Sequence, residues 1–377
     1  MSVDSGDVLD IPILDVGRLP SGDLCRHDLG RARELARSVL SGRSHPLLPY
    51  AARLLDRVSH SWLVRQSNPY LEEIRDVAAV LRRPGAYFLN TVYEWACSTS
   101  VAPDGAGGAR MIRVLDWGMP GLGRGAVVAR HSTERGSFYS ATWPGYAGVL
   151  TGMAPGRFSA AINQAPRMPV LGLELVDEIV TRLRVMRSRG AVPGAHLLRQ
   201  VFERAPDYAS ALAMLSDESV SLAMPALFTL AGTEPDQGCV VEAFGRERRV
   251  HRLARAENGA LGVANQWLSA DLEGKPRNRA VGTGPALTAE ENNRARRTMV
   301  AKLQREAFRG AADLREPVLN SHTVMVVVAN ARRGEMMVEG LEPSEASVIP
   351  RVVARRSIAH AAEAARERPR AAGRRAQ

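Results

Sequence analysis

Between residues 29 and 95 the apolar positions recur at spacings of three and four, the pattern of helices that bury one face. It predicts helices over Leu29–Leu40 and Leu47–Trp62; in the second, Leu48, Ala51, Leu54 and Leu55 share a face. Ser67-Asn68-Pro69 supplies a cap followed by proline, starting a helix that runs to Leu81 and is broken at Pro84-Gly85. A short helix, Tyr87–Trp95, follows. Residues 1–28 hold Pro12, Pro20 and several glycines without periodicity and read as an extended arm.

At residue 97 the period changes. Cys97–Ala102, Arg110–Leu115, Ala126–His131 and Ser137–Trp143 are short, β-branched or alternating runs separated by Gly-containing turns, which predicts an antiparallel meander. Val149–Gln164 adds two strand-like pieces around Pro155-Gly156. Helical patterns return over Val170–Arg187, His196–Arg204 and Tyr208–Leu215, and strands over Ala223–Leu230, Gly238–Ala243, Arg248–Leu253 and Gly262–Ala264. A polar loop, Ser269–Pro285, leads to a helix from Thr288 to Phe308, and strands Thr323–Ala329 and Glu335–Gly340 close the body. This order predicts helical layers over two stacked sheets, with antiparallel connections throughout.

Composition adds bounds. At 377 residues with 45% hydrophobic and 24% charged residues, the chain has the make-up of a folded globular protein. The segment 350–377 carries +6 of the net charge of +10, so the body is nearly balanced and poor in aromatics; no nucleic-acid partner is expected. Three cysteines, Cys25, Cys97 and Cys239, are too few for a disulfide framework or a zinc site. No phosphate-binding glycine loop, Walker lysine or HExxH is present, so neither cofactor nor metal is expected. The absence of a signal-like N-terminus and of an 18-residue apolar run makes the cytoplasm the expected compartment.

The candidate chemistry sits where the period changes. Cys97 would open a strand, with Arg113 and Asp116 sixteen and nineteen residues on, in the return strand of one hairpin. A guanidinium beside a thiol favours the thiolate, and a carboxylate can orient a base. An inert buried cysteine and an ordinary ion pair on a strand face are the competing readings.

The stretch from Pro69 to Val80, Phe88-Leu89-Asn90, Cys97-Ser98-Thr99-Ser100-Val101-Ala102 and Arg113-Val114-Leu115-Asp116 resemble acid ceramidase and N-acylethanolamine acid amidase. So do Gly145 to Gly152, Pro155-Gly156-Arg157-Phe158-Ser159, Asn163, Ala264-Asn265-Gln266-Trp267 and Pro317-Val318-Leu319-Asn320. These enzymes belong to the wider choloylglycine hydrolase and penicillin V acylase group of N-terminal nucleophile hydrolases.

The resemblance implies an α+β, four-layer αββα fold, with self-cleavage between Ala96 and Cys97 that frees a cysteine α-amine. It divides the chain into an α chain, 1–96, a catalytic β chain, 97–345, and a basic tail, 346–377, with the two chains remaining associated. Cys97 would be the nucleophile, Arg113 and Asp116 its partners, and Asn265 an oxyanion donor. Asn163 and Trp143 would lie on the substrate side. A further arginine maps to Arg296 or Arg294, with Arg277 and Arg279 behind them, because an insertion at 268–293 blurs the register. The implied substrate is a small N-acyl amide with an apolar acyl part, met at a membrane surface if the acyl part is lipid. An acyltransferase using the same thioester, and a non-catalytic scaffold of the same fold, are the rival readings.

Overall fold

The protein's structure, a computed structural model, describes residues 8–39, 48–91, 96–166, 188–256, 259–272, 274, 287–305, 308–344 and 347–360. Two short strands, β1 (Leu9–Asp10) and β2 (Ile13–Val16), precede the helices Pro20–His27, Leu29–Val39, Leu48–Arg65, Leu71–Leu81 and Ala86–Leu89. Then come β3 (Ala96–Pro103), β4 (Ala109–Asp116), β5 (Val127–Thr133), β6 (Gly136–Thr142), β7 (Thr151–Ala154) and β8 (Phe158–Gln164). After the helices Gly194–Arg204 and Tyr208–Leu215, which lie between β9 (Ala191–Val192) and β10 (Ser221–Leu222), the chain forms β11 (Ala226–Gly232), β12 (Gly238–Phe244), β13 (Glu247–Arg252) and β14 (Leu261–Val263). The helix Ala289–Leu303 and strands β15 (Thr323–Asn330), β16 (Glu335–Ser344) and β17 (Ser347–Ala359) complete it.

The strands make two large sheets. One has seven strands in the order β1-β17-β16-β15-β4-β3-β14, the other eight in the order β13-β12-β11-β8-β7-β6-β5-β2. β8 and β11 are buried along their whole length, as strands covered on both faces must be. Side-chain alternation on β4 explains the stacking. Met111 and Leu115 belong to the main core on the side of the second sheet, where Asn163 of β8 meets Thr99 of β3, whereas Ile112 and Val114 pack with Val300 and Leu303 of the helix Ala289–Leu303. Phe202 of the helix Gly194–Arg204 stacks on Phe138 and Phe158 from the other side. Helix, sheet, sheet and helix thus form four layers, and the α+β class holds.

The helix Ala289–Leu303 starts from a capping box, Thr288 Oγ1 accepting the Glu291 N–H and Glu291 accepting the Thr288 N–H. It lies so close to β14 that a Cβ at Gly262 would be 2.5 Å from the Arg297 carbonyl oxygen. That approach brings its buried face, Asn293, Arg296 and Val300, against the start of β3.

Three expectations are corrected. The N-terminal arm is not merely extended: β1 pairs with β17 and β2 with β5, both in parallel, so the sheets are mixed and not antiparallel throughout. The tail does not begin at 346, because β17 is paired with β16 and buries Val353, Ala354 and Ile358. Arg355 and Arg356 of that strand meet Glu339 and Asp10. The helix expected over Val170–Arg187 falls on residues 167–187, outside the described residues, as does the tail beyond 360.

Candidate active site

Residue alternation puts Cys97 between the sheets. In the β3–β4 register Cys97 lies opposite Leu115 and Thr99 opposite Arg113, so Cys97, Thr99, Arg113 and Leu115 share the face turned to the second sheet. Ser98, Ser100 and Asp116 take the opposite face, toward the helix Ala289–Leu303. The site therefore straddles the end of β3, with one half on each side of the sheet.

On the inner side, Arg113 Nη2 donates to Cys97 Sγ at 2.9 Å. The guanidinium is held by the carbonyls of Leu150 (3.1 Å) and Ile162 (2.9 Å) and by Thr151 Oγ1. On the outer side, Arg296, fully buried, spends each of its nitrogens. Nε donates to Asn292 Oδ1 (3.0 Å), Nη1 to the Cys97 carbonyl (3.1 Å), Ser98 Oγ (3.3 Å) and Asp116 Oδ2 (3.2 Å), and Nη2 to Asn265 Oδ1 (2.9 Å) and Asn293 Oδ1 (2.8 Å). Thr323 Oγ1 donates to the other oxygen of Asp116 at 2.8 Å.

Asn265 closes the end of the strand. Its Oδ1 accepts the Cys97 backbone N–H at 2.9 Å, its Nδ2 donates to the Gln164 carbonyl at 2.8 Å, and its own N–H is taken by Asn293 Oδ1 at 2.9 Å. In this uncut geometry Asn265 is an acceptor for the Cys97 amide, and one of its two side-chain N–H bonds goes to the Gln164 carbonyl.

Burial pushes the Cys97 thiol above its ordinary value; Arg113 pulls it down and Asp116 pushes it up, and the sum stays raised. Burial likewise raises the Asp116 carboxyl against the pull of Arg296, and lowers the Arg296 guanidinium. Burial thus favours the thiol over the thiolate, with a cation already on the sulfur. Among the described residues no base is hydrogen-bonded to it.

The structure thus gathers Cys97, Arg113, Asp116, Asn265 and Arg296 into one contact set. Arg294 is exposed on the other side of its helix, beside Glu291 and Lys302, and Arg277 and Arg279 lie outside the described residues. Asn163 is behind the site: Thr99 Oγ1 donates to its Oδ1 (2.6 Å), and its Nδ2 donates to the Ala264 carbonyl (3.1 Å), tying β8 to the residue before Asn265. Trp143 donates its indole N–H to the Leu122 carbonyl at 2.7 Å and packs edge-on against Trp117. It lines a small apolar cavity with Leu35, Val77, Leu81, Leu89 and Trp117. Sequence reading missed Asn293 and Thr323. Asn293 stands three residues before Arg296, hence on its face of the helix, and that spacing was the available signal.

Among the described residues no cluster of three His, Cys, Asp or Glu side chains could hold a metal, and no helix is long and apolar enough to cross a membrane.

The fold and site define an α+β protein of two stacked sheets with a buried cysteine, two arginines, a carboxylate and an asparagine at the end of one strand. No protein-family model matches the chain. It is 27% identical to acid ceramidase of Heterocephalus glaber over 217 residues, 52% of each chain, and 28% identical to that of Homo sapiens over 201 residues, 48% of each. The match spans about half the length of these curated relatives. The resemblance to acid ceramidase read from the motifs is borne out over a stretch of that length. A Caenorhabditis elegans N-acylethanolamine-hydrolyzing acid amidase ortholog aligns with a TM-score of 0.46 at 20% identity, over 62% of this chain and 93% of its own. A mutant conjugated bile acid hydrolase from Clostridium perfringens aligns with a TM-score of 0.39 at 9% identity, over 70% and 92%.

Proposed function

We propose that the chain is a cysteine amidohydrolase of N-acyl substrates that activates itself by cutting the Ala96–Cys97 bond. The observation that carries the reading is the double hold on Cys97: Arg113 on its sulfur at 2.9 Å and Asn265 on its backbone nitrogen at 2.9 Å. A structural cysteine has no use for a buried guanidinium on its sulfur, which costs desolvation and destabilises an apolar core.

In maturation the Cys97 sulfur attacks the Ala96 carbonyl carbon. The S–C bond forms, the C–N bond breaks, and the thiol proton passes to the departing nitrogen, which becomes the α-amine. Water then hydrolyses the thioester and leaves residues 1–96 and 97–377 as two pieces. The freed amine is the base that the uncut site lacks, and Asn265 Oδ1 keeps hold of it so that its lone pair meets the sulfur.

In turnover the amine takes the thiol proton, Arg113 stabilises the thiolate, and the sulfur attacks the substrate amide. Asn265 Nδ2, through the N–H not given to the Gln164 carbonyl, is a donor for the oxyanion. The amine product leaves and water resolves the acyl-enzyme. Asp116 and Arg296 keep the end of β3 in place. The apolar cavity bounded by Trp117 and Trp143 suits an apolar acyl part.

The test is a panel of N-acyl amides of graded chain length, assayed with and without a competing amine. Release of free acid supports the hydrolase; products dominated by the exchanged amide would make the chain an acyltransferase; no acyl-enzyme with any member would remove the catalytic reading.

A further inference from the structure

The stretch from Pro69 to Val80 carries part of the resemblance, yet none of its residues touches Cys97, Arg113, Asp116 or Arg296 among the contacts described above. Its buried side chains are engaged elsewhere. Glu73, on the helix Leu71–Leu81, meets Arg199 Nη1, on the helix Gly194–Arg204, at 2.7 Å, and each side chain is only 6% exposed. Arg199 also donates Nε to Glu203 at 2.9 Å and Nη1 to the Ala147 carbonyl at 2.7 Å. Its guanidinium lies over the Tyr70 ring, 4.1 Å from the centroid, and Tyr70 completes the circuit by donating its hydroxyl to Glu203 at 2.8 Å. Asn68 Nδ2 lies 2.9 Å from His196 Nδ1.

Every one of these contacts except those of Arg199 with Glu203 and Ala147 joins a residue before 97 to one after it. The other oxygen of Glu73 accepts the Ser21 N–H at 2.7 Å, and the Ser21 hydroxyl lies 2.9 Å from the Tyr146 carbonyl. Asn90 grips the same turn, donating to the Gly145 carbonyl at 3.0 Å and accepting the Ala147 N–H at 2.7 Å. A few residues on, Leu150 and Thr151 receive the guanidinium of Arg113.

We propose that the buried Glu73–Arg199 pair is the latch that binds the segment before Ala96 to the nucleophile-bearing body, and that through Ser21 and the Arg199 bond to the Ala147 carbonyl it fixes the Gly145–Ala147 turn behind Arg113. The partner of the catalytic piece is therefore its own N-terminal segment, recognised by a desolvated carboxylate. With three free cysteines and no disulfide available to hold the pieces, the latch adds a buried polar tie to the β1–β17 and β2–β5 pairings that also cross the cut. That last role rests on the cleavage proposed above; the contacts themselves do not.

Removing one member of a buried pair leaves an uncompensated charge, whereas replacing both with apolar groups is close to neutral. The test uses the full chain carrying Cys97→Ala, which has no thiol to cut itself, and follows amide hydrogen exchange. Adding Glu73→Gln is expected to speed exchange in the helix Leu71–Leu81 by about 10²-fold while β15 keeps its protection. The paired variant Glu73→Met with Arg199→Met is expected to return that helix to within about tenfold of the parent. Unchanged exchange in the helix, equal acceleration of β15, or a paired variant as unprotected as the single one would each overturn the latch. On the chain with Cys97 intact, mass spectrometry reads cleavage separately. If it is cut, the two pieces coelute in size exclusion and come apart at lower urea in Glu73→Gln than in the parent; if it is uncut, the cleavage reading fails and the exchange result still decides the latch.

Discussion

The backbone N–H of Cys97 donates to Asn265 Oδ1 at 2.9 Å, and Arg296 Nη2 donates to that same oxygen at 2.9 Å. One carboxamide therefore fixes the nitrogen of the candidate nucleophile, while Arg296 and the Gln164 carbonyl fix the carboxamide and Asn293 holds the Asn265 backbone N–H. Replacing Asn265 with Ala removes the acceptor and a donor together. Turnover is expected to fall by about 10²- to 10³-fold, the usual effect of losing one oxyanion donor, and maturation to slow with it. Asn265→Asp, which keeps the acceptor alone, separates the roles: cleavage near the parent rate with turnover still depressed assigns Nδ2 to the oxyanion.

Arg113 lowers the Cys97 thiol against the larger effect of burial. Arg113→Met removes that pull, so the thiolate should form at higher pH than in the parent. Thiolate absorbance across a pH series, in chains with Cys25→Ala and Cys239→Ala to silence the other sulfurs, reads the shift. An unmoved or lowered titration would detach Arg113 from the sulfur.

Arg296 and Arg294 stand two residues apart and on different faces, and the chain makes them unequal. Arg296→Met leaves the Asp116 carboxylate buried without its cation and should cost about 3–5 kcal/mol in urea unfolding. Arg294→Met, at an exposed position, should stay within about 0.5 kcal/mol of the parent. Equal effects would contradict the placement.

This pair also marks where the sequence was legible and where it was not. The change of period at residue 97, the hairpin bringing Arg113 back to Cys97, and the two-sheet class follow from local patterning, and the structure has all three. The choice of Arg296 was hidden because the buried face of its helix runs Asn293, Arg296, Val300 and Leu303, half of it polar, so hydrophobic periodicity does not announce it. β17 was hidden the same way: Arg351, Arg355 and Arg356 give a tail-like composition to a strand that buries Val353, Ala354 and Ile358. The parallel pairings of β1 and β2 join residues more than a hundred positions apart, which no local pattern records.

Glu242 supplies a pH test away from the sulfur. Burial pushes its carboxyl up, but His251, Ser269 and the Leu268 N–H together hold it below its ordinary value. A depressed carboxyl stabilises the fold above its unfolded value, about 4.3, and that contribution is lost as pH falls through the folded value. Glu242→Gln should therefore unfold at lower urea than the parent near neutral pH, with the gap narrowing as pH falls below about 4.3. A gap that widens on acidification would reverse the sign.

The central claim is the cut. Intact mass spectrometry of the purified chain should find two species, ending at Ala96 and beginning at Cys97, while the Cys97→Ala chain remains whole. A chain of 377 residues that stays whole on prolonged incubation would contradict the account, since the α-amine assigned as its base would not exist.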